Sequence, residues 1–170
     1  VRLHGFCTRR YIEEAIIPRV QEGMARTGRT REHFEITGGG FVATGKDEEA
    51  TAKAFEIVRG RVAFYGSTPG YWGVLELHGH GDPGRELNAM SKAGKWNEMA
   101  SRVSDDVVRL FAAVGTHKEI AARIQERFGG LSDALNLRAD SSSFGGDVPP
   151  DVIQEIKRIA TPFQGYKTDW

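Results

Sequence analysis

The scarcity of strand-forming segments is the feature that most constrains the fold of this chain of 170 residues. Residues 34–44 surround three glycines with aromatic and β-branched side chains, and residues 134–139 alternate between apolar and polar side chains. Both patterns are typical of strands. Residues 1–3 have the composition of the end of a third strand. Two or three parallel strands cannot bury both faces of a sheet, so we expect these segments to be part of a larger α/β unit.

Helical patterns occupy most of the chain between these segments, and strands that alternate with helices predict an α/β fold with a parallel sheet. In the first helical segment, Pro18 removes a backbone donor and is expected to kink or divide the helix. A Thr-x-x-Glu capping box at Thr116 predicts the start of a later helix. Apolar spacing and capping together predict helices at residues 9–27, 47–65, 69–77, 83–93, 96–113, 116–128 and 151–160.

Composition excludes several function classes. The 23 basic and 23 acidic side chains cancel, so the chain has no net field to attract a nucleic-acid backbone. The single cysteine, Cys7, cannot form an internal disulfide and is compatible with a reducing compartment. No apolar run approaches the roughly 18 residues of a membrane span. We therefore expect a soluble, cytoplasmic protein that binds neither nucleic acid nor a membrane.

Two glycine-containing segments nearly match nucleotide-binding motifs, but their context argues against that function. Residues 40–47 resemble a phosphate-binding loop, yet Asp47 replaces the hydroxyl that would hold magnesium and adds negative charge where phosphates would lie. Residues 38–43 resemble the dinucleotide fingerprint, which requires a helix to begin there. The apolar residues Phe41 and Val42 predict that the strand continues instead, so we assign neither motif.

The segment around His78 places two imidazoles and a carboxylate within five residues, since His80 and Asp82 follow at alternate positions. A metal site needs three or four converging ligands with supporting contacts, and no other histidine or cysteine is evidently paired with these. We favour a glycine-rich turn with His78 packed or hydrogen-bonded beneath it, and we assign no metal site.

Three segments together resemble a known family. They are LHGFCTRRYIEEAIIPRVQEGMARTGRTREHFEITGGGFVATGKDEEA, VAFYGSTPGYWGVLELHGHGD and VGTHKEIAARIQERFGGLSDALNLRAD, which span the chain from His4 to about Asp140. They are similar to the carboxy-terminal part of luciferase-like oxidoreductases that use a flavin or a deazaflavin, and most similar to the deazaflavin branch.

This resemblance implies a fold. The family folds as a (β/α)8 barrel, for which roughly 200 residues are needed, so the whole chain, residues 1–170, is expected to form only the carboxy-terminal portion. That partial barrel would contain the last two to three βα units and a helical insertion. Residues 1–3 would end the sixth strand, residues 34–44 would contain the seventh and residues 134–139 would form the eighth. The insertion would span about residues 66–115.

The resemblance also implies an activity. In the complete enzyme we expect hydride transfer between a deazaflavin coenzyme, coenzyme F420, and a small organic substrate. A monooxygenase that uses flavin mononucleotide (FMN) is the alternative within the family. Most cofactor contacts in the family come from earlier strands that this chain does not match, so we assign no cofactor-binding and no catalytic residue. The chain alone is expected to be inactive, because it cannot position a cofactor within reacting distance.

The loops that follow the last strands of such a barrel line its mouth. We therefore expect His4 and Phe6, after the sixth strand, and Tyr65, Tyr71 and His78, from the insertion, to contact the substrate. His4 titrates in a range suited to proton transfer. The other interpretation of His4 is a loop histidine that is held by hydrogen bonds.

A function of another class is also consistent with the strand deficit. Unpaired strand edges favour association, so the chain is alternatively a non-catalytic α/β module that pairs with a partner chain or another copy. Under the enzymatic interpretation we expect a small-molecule substrate, and either a homo-oligomer or association with a missing amino-terminal half.

Overall fold

The computed structural model describes residues 1–137 and 148–166, which form a mixed α/β fold. Within these ranges the strands are β1 (Arg2–Leu3), β2 (Thr37–Gly38), β3 (Phe41–Gly45) and β4 (Ala112–Thr116). The helices are α1 (Arg9–Tyr11), α2 (Ile17–Thr27), α3 (Glu48–Gly66), α4 (Trp72–Glu76), α5 (Gly81–Lys92), α6 (Trp96–Met99), α7 (Asp105–Phe111), α8 (Ile120–Phe128) and α9 (Pro150–Lys157). Short 3-10 turns lie at Arg31–His33, Pro69–Tyr71 and Ala100–Arg102. None of the helices described in these ranges is both long and apolar enough to cross a membrane.

All strand pairings in the described ranges are parallel, as expected. β1 pairs with β2, with Leu3 opposite Gly38, and β3 pairs with β4 along all five residues. Thr37 also forms an isolated parallel bridge with Ala134. One chain segment thus contributes to both two-stranded sheets, and the strand predicted at 34–44 is divided into β2 and β3.

The division falls at the glycine triplet, because side chains would not fit there. Gly38 has φ +79°, and a Cβ atom at this position would lie 2.7 Å from the carbonyl oxygen of Leu3. Gly39 has φ +98°, and its Cβ would lie 2.8 Å from Cδ1 of Ile12. The glycines therefore allow other backbone and side-chain atoms to lie close to this segment, as glycines within a strand predict.

Two predicted elements differ from the structure. The helix expected at 96–113 ends at Phe111, and the next five residues form β4, so the segment 66–115 is helical only as far as Phe111. Pairing with β3 decides this outcome, because a short apolar run is compatible with either state. The strand expected at 134–139 is also wrong for its described part, in which Ala134 makes a single bridge. Residues 138–139 lie outside the described ranges.

Both motifs that context excluded have other structural roles. All five residues of β3 are buried, and Asp47 accepts a hydrogen bond from the backbone N–H of Ala50 as the N-cap of α3. At the other capping site, Glu119 accepts hydrogen bonds from the N–H and hydroxyl of Thr116. Pro18 lies in the first turn of α2, directly after a π-helical stretch, Ile12–Ile16, which connects α1 to α2.

The core lies on both faces of the β3–β4 pair. Phe41, Ala43 and Ala112 pack against α3 and the helices of the insertion, whereas Val42 and Ala113 pack against α8 and α9. This alternation follows the two-residue period of a strand. A third cluster of Cys7, Ile12 and Leu131 lies beneath α1.

Candidate functional site

The loop that leaves β1 fixes the orientation of His4. The backbone N–H of Phe6 donates to Nδ1 of His4 at 3.0 Å, so Nδ1 carries a lone pair and the neutral ring carries its proton on Nε2. Nε2 lies 3.4 Å from the phenolic oxygen of Tyr71, which is therefore its acceptor. His4 is thus held by two hydrogen bonds, and its one N–H group, on Nε2, faces the hydroxyl of Tyr71.

Two aromatic rings contact the imidazole of His4, which is otherwise exposed. The ring of His4 stacks on Tyr71 with centroids 4.8 Å apart and meets Tyr65 edge-on at 4.7 Å. Beneath them, Phe6 is 1% exposed and stacks on Phe111 at 4.3 Å. Tyr71 lies in the 3-10 turn before α4, and Tyr65 lies in the last turn of α3. The structure therefore brings together four of the five residues predicted to contact the substrate.

Burial lowers the pKa of His4 below its usual value. The hydrogen bond from Phe6 acts in the same direction, because protonation of Nδ1 would remove its lone pair. His4 is therefore neutral at neutral pH and acts as a hydrogen-bond donor through Nε2.

His78, the fifth predicted residue, makes its described contacts elsewhere. Its Nε2 lies 2.8 Å from the hydroxyl oxygen of Thr8, which also accepts the N–H of Tyr11 as the N-cap of α1. Burial lowers the pKa of His78, and the positive charge of Arg10 adds to this effect. The hydrogen bond between His78 and Thr8 connects the insertion to the start of α1.

Arg127 is a residue of the site that sequence reasoning missed. It lies on α8 and is 8% exposed, and its Nη2 donates to the carbonyl oxygens of Cys7 at 2.6 Å and Gly39 at 3.3 Å. These bonds join the loop that carries His4 to the glycine triplet. Burial lowers the pKa of the guanidinium to about 10. The available signal was its position, three residues after Ile124 on the apolar stripe of α8.

A crevice of about 160 Å³ opens at the carboxyl ends of β1 and β2, which is where α/β folds bind ligands. Its volume is below the roughly 300–1,000 Å³ of ordinary ligand pockets. The glycines in its wall cradle no phosphate, since the places of their Cβ atoms are already filled by neighbouring atoms. This crevice is therefore too small to hold a coenzyme by itself. The crevice is lined by Arg2, Leu3, Gly5, residues 38–42, Arg61, Leu135 and Asn136.

The described ranges contain no group of three or more histidine, cysteine, aspartate or glutamate side chains that could hold a metal ion. His78 and His80 are followed by the helix α5, in which Asp82 forms an ion pair with Arg85 at 3.3 Å. The polar contacts described for this segment are therefore a hydrogen bond between His78 and a hydroxyl group and an ion pair at the surface.

Comparison with known proteins identifies similar sequences and a similar fold. A family model described as luciferase-like monooxygenase matches residues 3–133. An uncharacterized protein of Mycobacterium tuberculosis is 41% identical over 132 residues, which cover 78% of this chain and 39% of that protein. The 5,10-methylenetetrahydromethanopterin reductase of Archaeoglobus fulgidus is 32% identical over 147 residues, which cover 82% of this chain and 40% of that protein.

The solved structure of a coenzyme F420 dependent tetrahydromethanopterin reductase from Methanopyrus kandleri superposes with a TM-score of 0.65 and 19% identity. The match covers 90% of this chain and 42% of that one. The chain thus spans about two fifths of the length of the relatives it matches.

Proposed function

Because this chain belongs to the luciferase-like monooxygenase family, we propose that it forms the substrate side of a deazaflavin-dependent oxidoreductase. The complete enzyme would transfer hydride between coenzyme F420 and a small organic substrate. The fixed orientation of His4 is the observation that carries this proposal: a neutral imidazole with one N–H group lies at the carboxyl end of β1, in a ring of aromatic side chains.

The role of His4 follows from the charge that hydride transfer creates. A carbonyl or imine carbon that accepts hydride leaves negative charge on its oxygen or nitrogen, and a nearby N–H donor stabilises that charge. Nε2–H of His4 supplies such a donor, and Tyr71 holds it in place until substrate binds. Tyr65 meets the imidazole edge-on, and the ring of Phe6 lies 6.1 Å from that of Tyr65.

The coenzyme assignment rests on the relatives. One similar protein bears the name of a methanopterin reductase, and the similar solved structure is described as coenzyme F420 dependent. When bound, the deazaflavin would supply the hydride. We propose that residues outside this chain complete its pocket within a (β/α)8 barrel, with this chain contributing its last βα units. The chain alone would then have little activity, because the described crevice is too small for a coenzyme.

An FMN-dependent monooxygenase is the second candidate, and the description of the family model favours it. A fluorescence titration shows which of the two coenzymes the protein binds. The coding sequence is extended upstream of Val1 to its first in-frame start, and the longer protein and the 170-residue chain are each titrated with coenzyme F420 and with FMN. We expect F420 to bind the longer protein with at least tenfold preference over FMN and to bind the short chain weakly. Tight F420 binding by the short chain would contradict our placement of the coenzyme site.

A non-catalytic pairing module is the remaining candidate. Among the described residues, β4 has β3 as its only strand partner, so one edge of β4 has no strand against it. Light scattering during size-exclusion chromatography tests this alternative against the proposal that the chain forms the last βα units of a (β/α)8 barrel. A homodimer that melts cooperatively and binds no coenzyme in the longer form would favour the module.

A further inference from the structure

A second cavity lies where α1, α7 and α8 meet the start of β4. Its volume is about 400 Å³, which is within the roughly 300–1,000 Å³ of ordinary ligand pockets. We call it the arginine cavity, because one glutamate, residues 112–114 and four arginines line it: Arg9, Arg109, Arg123 and Arg127. None of these residues lines the crevice at the ends of β1 and β2, so the two are separate places on the molecule.

The guanidinium of Arg127 has donors without acceptors in the described part of the chain. Arg127 is 8% exposed, and its Nε and Nη1 atoms are buried with no hydrogen-bond partner. The two acceptors of Nη2 are the uncharged carbonyl oxygens of Cys7 and Gly39. A buried charge without an ionic partner is costly, and buried polar atoms without partners are rare in native proteins. An anion in the arginine cavity would supply the missing countercharge.

The other charged side chains leave the arginine cavity with an excess of positive charge. Glu126, the one carboxylate of the lining, pairs with Arg123 at 3.5 Å, and Arg9 pairs with Glu13 at 2.9 Å. Four arginines thus face two carboxylates, and Arg109 and Arg123 are exposed to an incoming ligand. Because the whole chain has a formal net charge of zero, this excess is local to the cavity.

We propose that the arginine cavity binds a phosphorylated small molecule. The planar guanidinium group suits phosphate, because two of its N–H groups can donate to two phosphate oxygens at once. The cavity has room for more than a single phosphate ion, so a diphosphate or a phosphate ester fits it. Among the described residues the outer edge of β4 has no strand against it, and such an edge presents backbone N–H groups as further donors. The inference does not depend on the proposed oxidoreductase activity.

The test titrates inorganic pyrophosphate into the 170-residue chain in a phosphate-free buffer of low ionic strength, with isothermal titration calorimetry as the measurement. Pyrophosphate should bind at one site per chain. Arg109→Ala and Arg123→Ala should each weaken it about three- to tenfold, since each removes a charge-assisted contact. Arg19→Ala is the matched control: its side chain is 84% exposed and lies on α2, outside the cavity, so the affinity should not change.

Two further variants test the charges nearest to the buried guanidinium. Glu126→Gln removes the negative charge of the lining and should strengthen pyrophosphate binding about two- to fivefold. Arg127→Gln keeps a donor but removes the buried charge, so it should weaken binding at least about tenfold. Circular dichroism shows whether Arg127→Gln is folded, and the exposed variants Arg109→Ala and Arg123→Ala decide the question if it is not.

NMR spectroscopy of the arginine side chains provides a readout of the buried group itself. The Nε–H signal of Arg127 should shift when pyrophosphate is added. The corresponding signal of Arg59 should not, because Arg59 is already paired with Glu56 and Asp105 and does not line the cavity.

Absence of saturable pyrophosphate binding would overturn the inference. Equal weakening by Arg19→Ala, Arg109→Ala and Arg123→Ala would also overturn it, because binding would then follow the overall charge alone. Sedimentation of the same samples tests for a carboxylate of a second copy as the occupant. A parent dimer that pyrophosphate dissociates would assign the cavity to an interface between copies and contradict the inference. Each of these failures leaves the outcome of the coenzyme titration unaffected.

Discussion

Replacement of Gly38 by alanine should destabilise the protein more than the same replacement at Gly28. Both glycines have positive φ, +79° and +66°, so both alanines incur a backbone cost of about 1–2 kcal/mol. Both also lose the same unfolded-chain entropy, which offsets about 0.4–1 kcal/mol. They differ in space: the Cβ at Gly38 would lie 2.7 Å from the carbonyl oxygen of Leu3, whereas nothing lies within 4 Å of the one at Gly28.

The close contact at Gly38 is with backbone, so it cannot be relieved by a change of rotamer, and overpacking of this kind costs about 1–3 kcal/mol. We therefore expect the free energy of unfolding to fall by about 1–4 kcal/mol for Gly38→Ala and by about 0–2 kcal/mol for Gly28→Ala, with a difference of at least 1 kcal/mol. Urea denaturation followed by circular dichroism measures both. Equal losses would refute the conclusion that β1 and β2 approach too closely for a side chain. Because Leu3 precedes His4, Gly38→Ala should also shift the His4 ring signals in NMR spectra, and Gly28→Ala should not.

Three further predictions concern the loop after β1 and its contacts. The pKa values of His4 and His78 are lowered in the folded protein, so the unfolded chain binds protons more readily, and the free energy of unfolding should fall as the pH falls below about 6.5. Proton NMR titration measures both pKa values, and a value above 6.5 for either histidine would contradict its proposed environment. Thr8→Val removes the N-cap acceptor of α1 and the hydroxyl that forms a hydrogen bond with His78, so it should cost about 1–2 kcal/mol in urea denaturation. This cost should exceed that of Ser104→Ala, whose cap contact is longer at 3.4 Å, and an equal cost would contradict the stabilising role given to the Thr8 hydroxyl. Burial raises the pKa of the Cys7 thiol to about 11, so a disulfide reagent should react with the native protein at least a hundredfold more slowly than with the urea-unfolded protein. Equal reaction rates would show that the loop around Cys7 opens readily.

Local sequence signals found the long elements and could not find those that tertiary contacts decide. The helix α3 and the buried strand β3 follow from apolar spacing and from the acidic cap at Asp47. The sequence of β4 predicts the end of a helix instead, because Ala-Ala-Val has no apolar period and forms a strand only by pairing with β3.

The residues of the candidate site also differ in how far the sequence alone could predict them. His4 could be proposed from its position after a strand, but its hydrogen-bond orientation depends on Phe6 and on Tyr71, which lies 67 residues away along the chain. Arg127 could be noticed only as a charge on an apolar stripe, since its acceptors Cys7 and Gly39 come from distant segments.

The pairing of β3 with β4 has a consequence for how this site can diversify. The chain leaves β3, forms α3 to α7 and then enters β4, which pairs with β3. The two ends of this long segment therefore lie side by side. Replacements at exposed positions between Pro69 and Arg102 need not disturb the β3–β4 pair, because the contacts of this segment with the core come from buried side chains such as Val74, Leu75 and Leu87. They would change exposed side chains such as Trp96 and leave Tyr71 against His4. Related proteins can therefore keep one hydrogen-bond donor while varying the surface that selects the molecule presented to it.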